Sequence, residues 1–226
     1  MEERMFVWKP LTKTTGTFVG VVVERLNSGS LHVGFLYRAE NSPTYILHLE
    51  GHNDLQHGPP RVDQVCVLCA IESVRLPAIA AFARRLYKKN RSKGIPYAFS
   101  SPAQDWFFED GNLHLGPERL GLTCGNFVLA LYHAVGLPLV SLETWPSRED
   151  DVVWQQSFID ELAPRIELAK RETQEHFALV RREIGTVRCR PAEIGGAALA
   201  SEFPCDFDTA VKLAVDVERA LPARPA

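Results

Sequence analysis

Cys124 lies in the segment Gly-Leu-Thr-Cys-Gly-Asn-Phe-Val (121–128), and His32 and His48 sit in two apolar segments earlier in the chain. One thiol and two imidazoles are sufficient for nucleophilic catalysis. The thiolate attacks a carbonyl, one imidazole takes the thiol proton and returns it to the leaving group, and a further group orients that imidazole. Counting from Cys124, the apolar residues Phe127, Val128, Leu131 and Val135 recur at helical spacing. Thr123 suits the N-cap, Gly136 the residue past the C-terminus, and Pro138 a stop beyond it. A thiol in that first turn feels unpaired backbone N–H groups and the positive end of the helix dipole, both favouring thiolate. Core packing produces the same pattern, because cysteine is among the most buried residue types. The histidines distinguish the two cases.

Strands are expected over 17–26, 31–38 and 43–50, where Val, Leu, Ile, Phe and Tyr dominate and NSGS and AENS mark turns. A hairpin of the second and third, centred near Glu40, sets His32 opposite His48, Gly34 opposite Ile46 and Leu36 opposite Thr44. Opposed residues share a face about 5 Å apart, so the two imidazoles become neighbours. That inference depends on the register. His32 is then the candidate base and His48 its orienter, with Glu50 a rival on the same strand face. The Cys124 backbone N–H is one oxyanion donor, and Tyr97, Ser100 or Gln104 is a candidate for the second. His52 and His57 fall in a glycine-rich loop at the surface and His114 in the stretch before the cysteine helix. His133 lies about 13 Å along that helix from Cys124.

The remaining elements must position this set. Residues 1–16 read as an irregular entry containing Pro10 and Gly16, 51–61 as a turn-rich loop, and 62–74 as a fourth strand. Helices are expected over 76–90, 147–163 (opening at Ser147), 166–185, 190–201 and 206–221, the last capped by Asp206 or Asp208. The Gly- and Pro-punctuated stretch 91–120 is too long for an idle connection. Strands before residue 75 and helices after it make an α+β protein.

Strand His32-Val33-Gly34-Phe35-Leu36-Tyr37, the strand ending Ile46-Leu47-His48, and Thr123-Cys124-Gly125-Asn126-Phe127-Val128 together carry a resemblance. Over about residues 17–140 the chain resembles the circularly permuted papain-like proteins, which include permuted NlpC-type hydrolases and the lecithin:retinol acyltransferase-like enzymes. Thr123 replaces the Asn that many relatives carry before the cysteine, and Gly125-Asn126 replaces the Glu-His of the acyltransferases. The resemblance implies an antiparallel sheet packed on the cysteine helix as a catalytic domain over 1–142, with a helical C-terminal extension over 143–226. It implies Cys124 as nucleophile, His32 as base, His48 as orienter, and no cofactor or metal. The expected activity is that of a cysteine peptidase or amidase acting on a peptide, protein or acyl substrate. A silent binding protein, an acyltransferase and an isopeptidase acting on a protein conjugate are the alternatives.

The chain has 226 residues, 46% hydrophobic and 23% charged, an ordinary globular balance. A net charge of −3 gives no electrostatic reason for nucleic acid as a partner. The stretch MEERMFVWKP lacks the apolar run of a signal peptide and no later stretch reaches a membrane span, so a cytoplasmic location is expected. Five cysteines fit a reducing compartment, and 18 arginines against 7 lysines hint at a bacterial source. Cys66 and Cys69 form a C-x-x-C, but within a strand they point to opposite faces, which speaks against joint metal ligation. Oligomeric state is left open.

Overall fold

The structure, a computed structural model, describes residues 4–9 and 16–223. Its centre is an open antiparallel sheet of six strands: β1 (Met5–Val7), β2 (Phe18–Arg25), β3 (Leu31–Arg38), β4 (Thr44–Gly51), β5 (Asp54–Gly58) and β6 (Val65–Leu68). Their order is β1-β6-β2-β3-β4-β5. Six helices follow: α1 (Leu76–Asn90), α2 (Cys124–Ala134), α3 (Glu149–Glu167), α4 (Arg171–Val180), α5 (Pro191–Leu199) and α6 (Phe207–Ala220). The protein is therefore α+β, and no helix among the described residues is long and apolar enough to cross a membrane.

Alternation along the strands divides the core. Val21, Val23, Val33, Phe35, Tyr37 and Leu47 join the main cluster with residues of α1, α2, α5 and α6. Phe18, Val22, Leu36, Ile46 and Cys66 form a smaller cluster on the opposite face. Cys69 belongs to the main cluster, so the two cysteines of the C-x-x-C do lie on opposite sides. The cysteine helix packs on the sheet through buried Phe127, Leu131 and Tyr132, whose hydroxyl donates to the Gly20 carbonyl at 3.1 Å. Gly20 permits this packing of strands, since a Cβ there would meet the Val67 carbonyl oxygen at 2.0 Å.

Several expectations need correction. The hairpin register is displaced by two residues: Arg38 pairs with Thr44, Tyr37 with Tyr45, Leu36 with Ile46 and Phe35 with Leu47. The turn is centred on Asn41, left-handed at φ 53°, with the Ser42 hydroxyl closing it onto the Ala39 carbonyl at 2.9 Å. A two-residue shift keeps every side chain on its expected face, whereas a one-residue slip would have inverted them.

The entry segment holds a strand, β1, paired with β6; the expectation for residues 1–3 and 10–15, including Pro10, lies outside the described residues. The expected 51–61 loop contains β5, entered through Asn53 at φ 59°. Helix α3 begins at Glu149, with Arg148 at its N-cap, and Ser147 supplies no cap. It runs through Pro164 to Glu167, and the long helix expected over 166–185 is instead the end of α3, a break, and α4.

Candidate active site

Where β3 and β4 run on past their shared ladder, His48 comes to lie across from Gly34 rather than His32. A Cβ on Gly34 would stand 3.0 Å from His48 Cβ and 2.7 Å from Ile46 Cγ2. His32 is thus the diagonal neighbour of His48 on the same face, a separation that ring side chains bridge. His32 Nε2 and His48 Nδ1 are 2.8 Å apart, with the rings at 71°. We expect Gly34→Ala to push His48 off its strand position, costing about 1–3 kcal/mol of stability as overpacking does. Urea denaturation checks that cost, and a slower reaction of Cys124 with iodoacetamide at neutral pH checks the loss of the imidazole pair.

Cys124 arrives at this pair on the first turn of α2. Thr123 caps the helix as expected, its hydroxyl accepting from the Asn126 N–H at 3.1 Å, and Gly136 closes it at φ 67°. Cys124 is partly exposed, and its sulfur lies within electrostatic and hydrogen-bonding reach of His32. Since His32 Nε2 is engaged by His48, Nδ1 is the nitrogen left for the sulfur. The backbone N–H of Val33, just beyond the end of the β3–β4 ladder, also lies close enough to the sulfur to favour its charged form.

The electrostatics follow from this geometry. Burial pushes the Cys124 thiol up, but the His32 charge, its hydrogen bond, the Val33 N–H and the Arg188 charge together hold it below the usual thiol value. Burial pulls His32 down, yet the Cys124 charge and hydrogen bond, with smaller contributions from Glu24 and Glu50, leave it above the usual imidazole value. Burial, the His32 charge and Arg61 push His48 down to about 3. The arrangement that satisfies all three is thiolate, imidazolium and neutral imidazole, with His32 Nε2–H donating to His48 Nδ1. Glu50 is exposed and stands 4.0 Å from Arg61.

Cys124 and His32 stand at a cleft of about 650 Å³, lined by them and Thr123 and by Tyr97, α3, Phe177 and Arg188, with His48 behind His32. Comparison with protein-family models, with curated proteins and with solved structures finds no match.

Of the loop residues considered as oxyanion donors, Tyr97 lines the cleft. Ser100 is turned to Glu183, to which its hydroxyl donates, and Gln104 is outside the cleft lining. His52 and His57 are half-buried and each has a defined partner. His57 bonds the Tyr37 hydroxyl at 2.7 Å and stacks between Tyr45 and Tyr87, while His52 lines the cleft and accepts from the Tyr97 N–H at 3.2 Å. His176 holds the same residue by donating to the Tyr97 carbonyl at 2.8 Å. His114 pairs with Arg119 at 2.9 Å and His133 stands 3.7 Å from Asp105.

Sequence reasoning missed Val33, Arg188 and the α3 wall. A signal existed for one of them. Gly125 follows the cysteine directly, and a Cβ there would stand 2.9 Å from Ile194 Cδ1 and 3.1 Å from the Cys189 carbonyl oxygen. A glycine in the first turn of a helix marks a close approach of another segment, and that segment here is 188–194.

Proposed function

We propose that this protein is a thiol-dependent hydrolase that cleaves an amide or other acyl bond through an acyl-enzyme on Cys124. The observation that carries the proposal is the contact of a helix-N-terminal thiol with an imidazole that a second, neutral imidazole orients, at the mouth of a cleft. A thiol used only for packing needs neither the pair nor the opening.

In this reading the Cys124 thiolate adds to the substrate carbonyl, forming the C–S bond. The oxyanion falls to backbone N–H groups at the start of α2. Collapse breaks the bond to the leaving amine, which takes the proton from His32 Nδ1. Water then enters, gives a proton back to His32 and its oxygen to the acyl carbon, and Cys124 leaves as thiolate. His48 accepts the His32 Nε2–H throughout and keeps Nδ1 aimed at the sulfur. The permuted papain-like packing belongs to the same proposal. It is supported by a base strand that precedes the nucleophile helix and by an antiparallel sheet against that helix.

The pH dependence tests the ion pair. Because the Cys124 pKa is lowered, alkylation by iodoacetamide should reach half its maximal rate below the free-thiol value of about 8.5. Hydrolysis should be bell-shaped. Its acid limb falls as Cys124 takes up a proton, and its alkaline limb falls as His32 loses one, above the ordinary imidazole value of about 6.5. An alkylation midpoint at or above that of a free thiol would sink the proposal.

A further inference from the structure

We propose that the cleft selects acyl substrates carrying a carboxylate close to the scissile bond, with Arg188 as the specificity-determining residue that binds it. An adjoining apolar group of the substrate lies on α3. This rests on Cys124 being the nucleophile.

Arg188 is brought to the nucleophile by the close approach at Gly125, where the neighbouring Cys189 carbonyl meets the first turn of α2. Its backbone carbonyl is fixed by Arg148 Nη2 at 2.8 Å, and its guanidinium lies 3.5 Å from the centre of the Trp154 ring. Nη1 donates to Asp151 Oδ1 at 3.1 Å, which among the described residues is the one protein acceptor it has. Asp151 does not depend on it, since Arg148 Nε at 2.6 Å and Arg190 Nε at 2.9 Å donate to the same carboxylate. Glu50 and Glu161 also line the cleft, and neither pairs with Arg188. A guanidinium lying over an aromatic ring, with one protein acceptor among the described residues, has donors left for bidentate capture of a planar anion.

Beyond it, Trp154, Phe158, Leu162 and Ile166 recur every fourth residue along α3 and line the same cleft, with Phe177 of α4 packed in the same apolar cluster. Their stripe is about 18 Å long, enough for an extended apolar group leading away from the anion. The cleft thus presents Arg188 at the sulfur end and an apolar stripe leading from it, with Ser157, Glu161 and Arg165 interspersed along α3.

The test uses N-chloroacetyl-phenylalanine and N-chloroacetyl-phenylalaninamide, which share the electrophile and the ring and differ in charge. The ratio of their Cys124 labelling rates cancels changes in thiolate reactivity, so a purely structural or pKa role for Arg188 leaves it unmoved. In the wild type the acid should label about tenfold faster or more, in line with a charge-assisted hydrogen-bonded pair. The ratio should fall towards one in Arg188→Gln and be partly kept in Arg188→Lys. It should also shrink in the wild type as salt is raised, which holds the inference open to refutation should Arg188→Gln fail to fold. A wild-type ratio near one, or a ratio unchanged by Arg188→Gln or by salt, overturns the carboxylate assignment. Failure of neutral iodoacetamide to label Cys124 overturns instead the hydrolase reading beneath it.

Discussion

Cys124→Ala should abolish turnover of acyl substrates, a loss of about 10⁴-fold or more, while leaving the fold intact. Alanine removes a small side chain from a partly exposed position and breaks no helix contact, since Phe127, Leu131 and Tyr132 do the packing. His32→Ala should come close to the same loss, because it takes away the proton acceptor and the charge that hold Cys124 as thiolate. His48→Ala should be milder, about 10²-fold, since the base survives but its ring is free to turn. The double variant Cys124→Ala/His32→Ala should be no worse than Cys124→Ala, as members of one catalytic unit are not additive. Steady-state kinetics on a fluorogenic amide, with circular dichroism to confirm folding, decide the matter. Equal activity of Cys124→Ala and wild type would end the hydrolase reading.

The second large effect is on stability. Arg148 joins α3 to α5: Nε donates to Asp151 at 2.6 Å and Nη2 to Glu193 at 3.2 Å, and the side chains of both acids are less than a tenth exposed. Glu193 in turn accepts from the Arg190 N–H at 2.8 Å and the Trp145 indole at 3.3 Å. Arg148→Ala leaves buried Glu193 with Arg190 Nε at 3.9 Å as its nearest remaining cation, while Asp151 keeps Arg188 and Arg190. Breaking a buried pair from one side costs about 3–5 kcal/mol, which for a chain of this size is about 10 °C in Tm. Calorimetry on Arg148→Ala and on Arg148→Met/Glu193→Gln separates the causes. If the loss comes from the stranded charge, the double variant should recover part of it, and a single variant within about 0.5 kcal/mol of wild type would contradict the assignment.

Much of this architecture was legible because local signals and tertiary structure agree. The Val-rich β2, the two strands of the histidine hairpin, and the capped α2 and α6 all announce themselves through period and caps. The short strands β1 and β5 did not: each has too few residues for alternation to be visible, and each is stabilised by its neighbour in the sheet. The first of the expected helices after the cysteine ended at 163, yet α3 continues through Pro164 to Glu167, so the break at 168–170 was misplaced. Within the site, the face shared by His32 and His48 was readable from parity. The exact partner was not, because the turn is set by Asn41 and Ser42 rather than by chain symmetry. Arg188 was missed for a different reason. Its nearness to Cys124 comes from two segments more than sixty positions apart meeting at Gly125, and the glycine signals a close approach without saying which segment makes it.

The aromatic wall has its own small core. Ala98, Phe99, Ile159, Phe177 and Val180 cluster apart from the large core that holds the sheet, α2 and α5. Separate clusters of this kind open as separate units, at a free-energy cost below that of global unfolding. On the proposed reading, warming should therefore separate two properties: Cys124 stays anchored in the larger unit after the aromatic wall has begun to loosen, so selectivity for the apolar group should be lost before thiol reactivity.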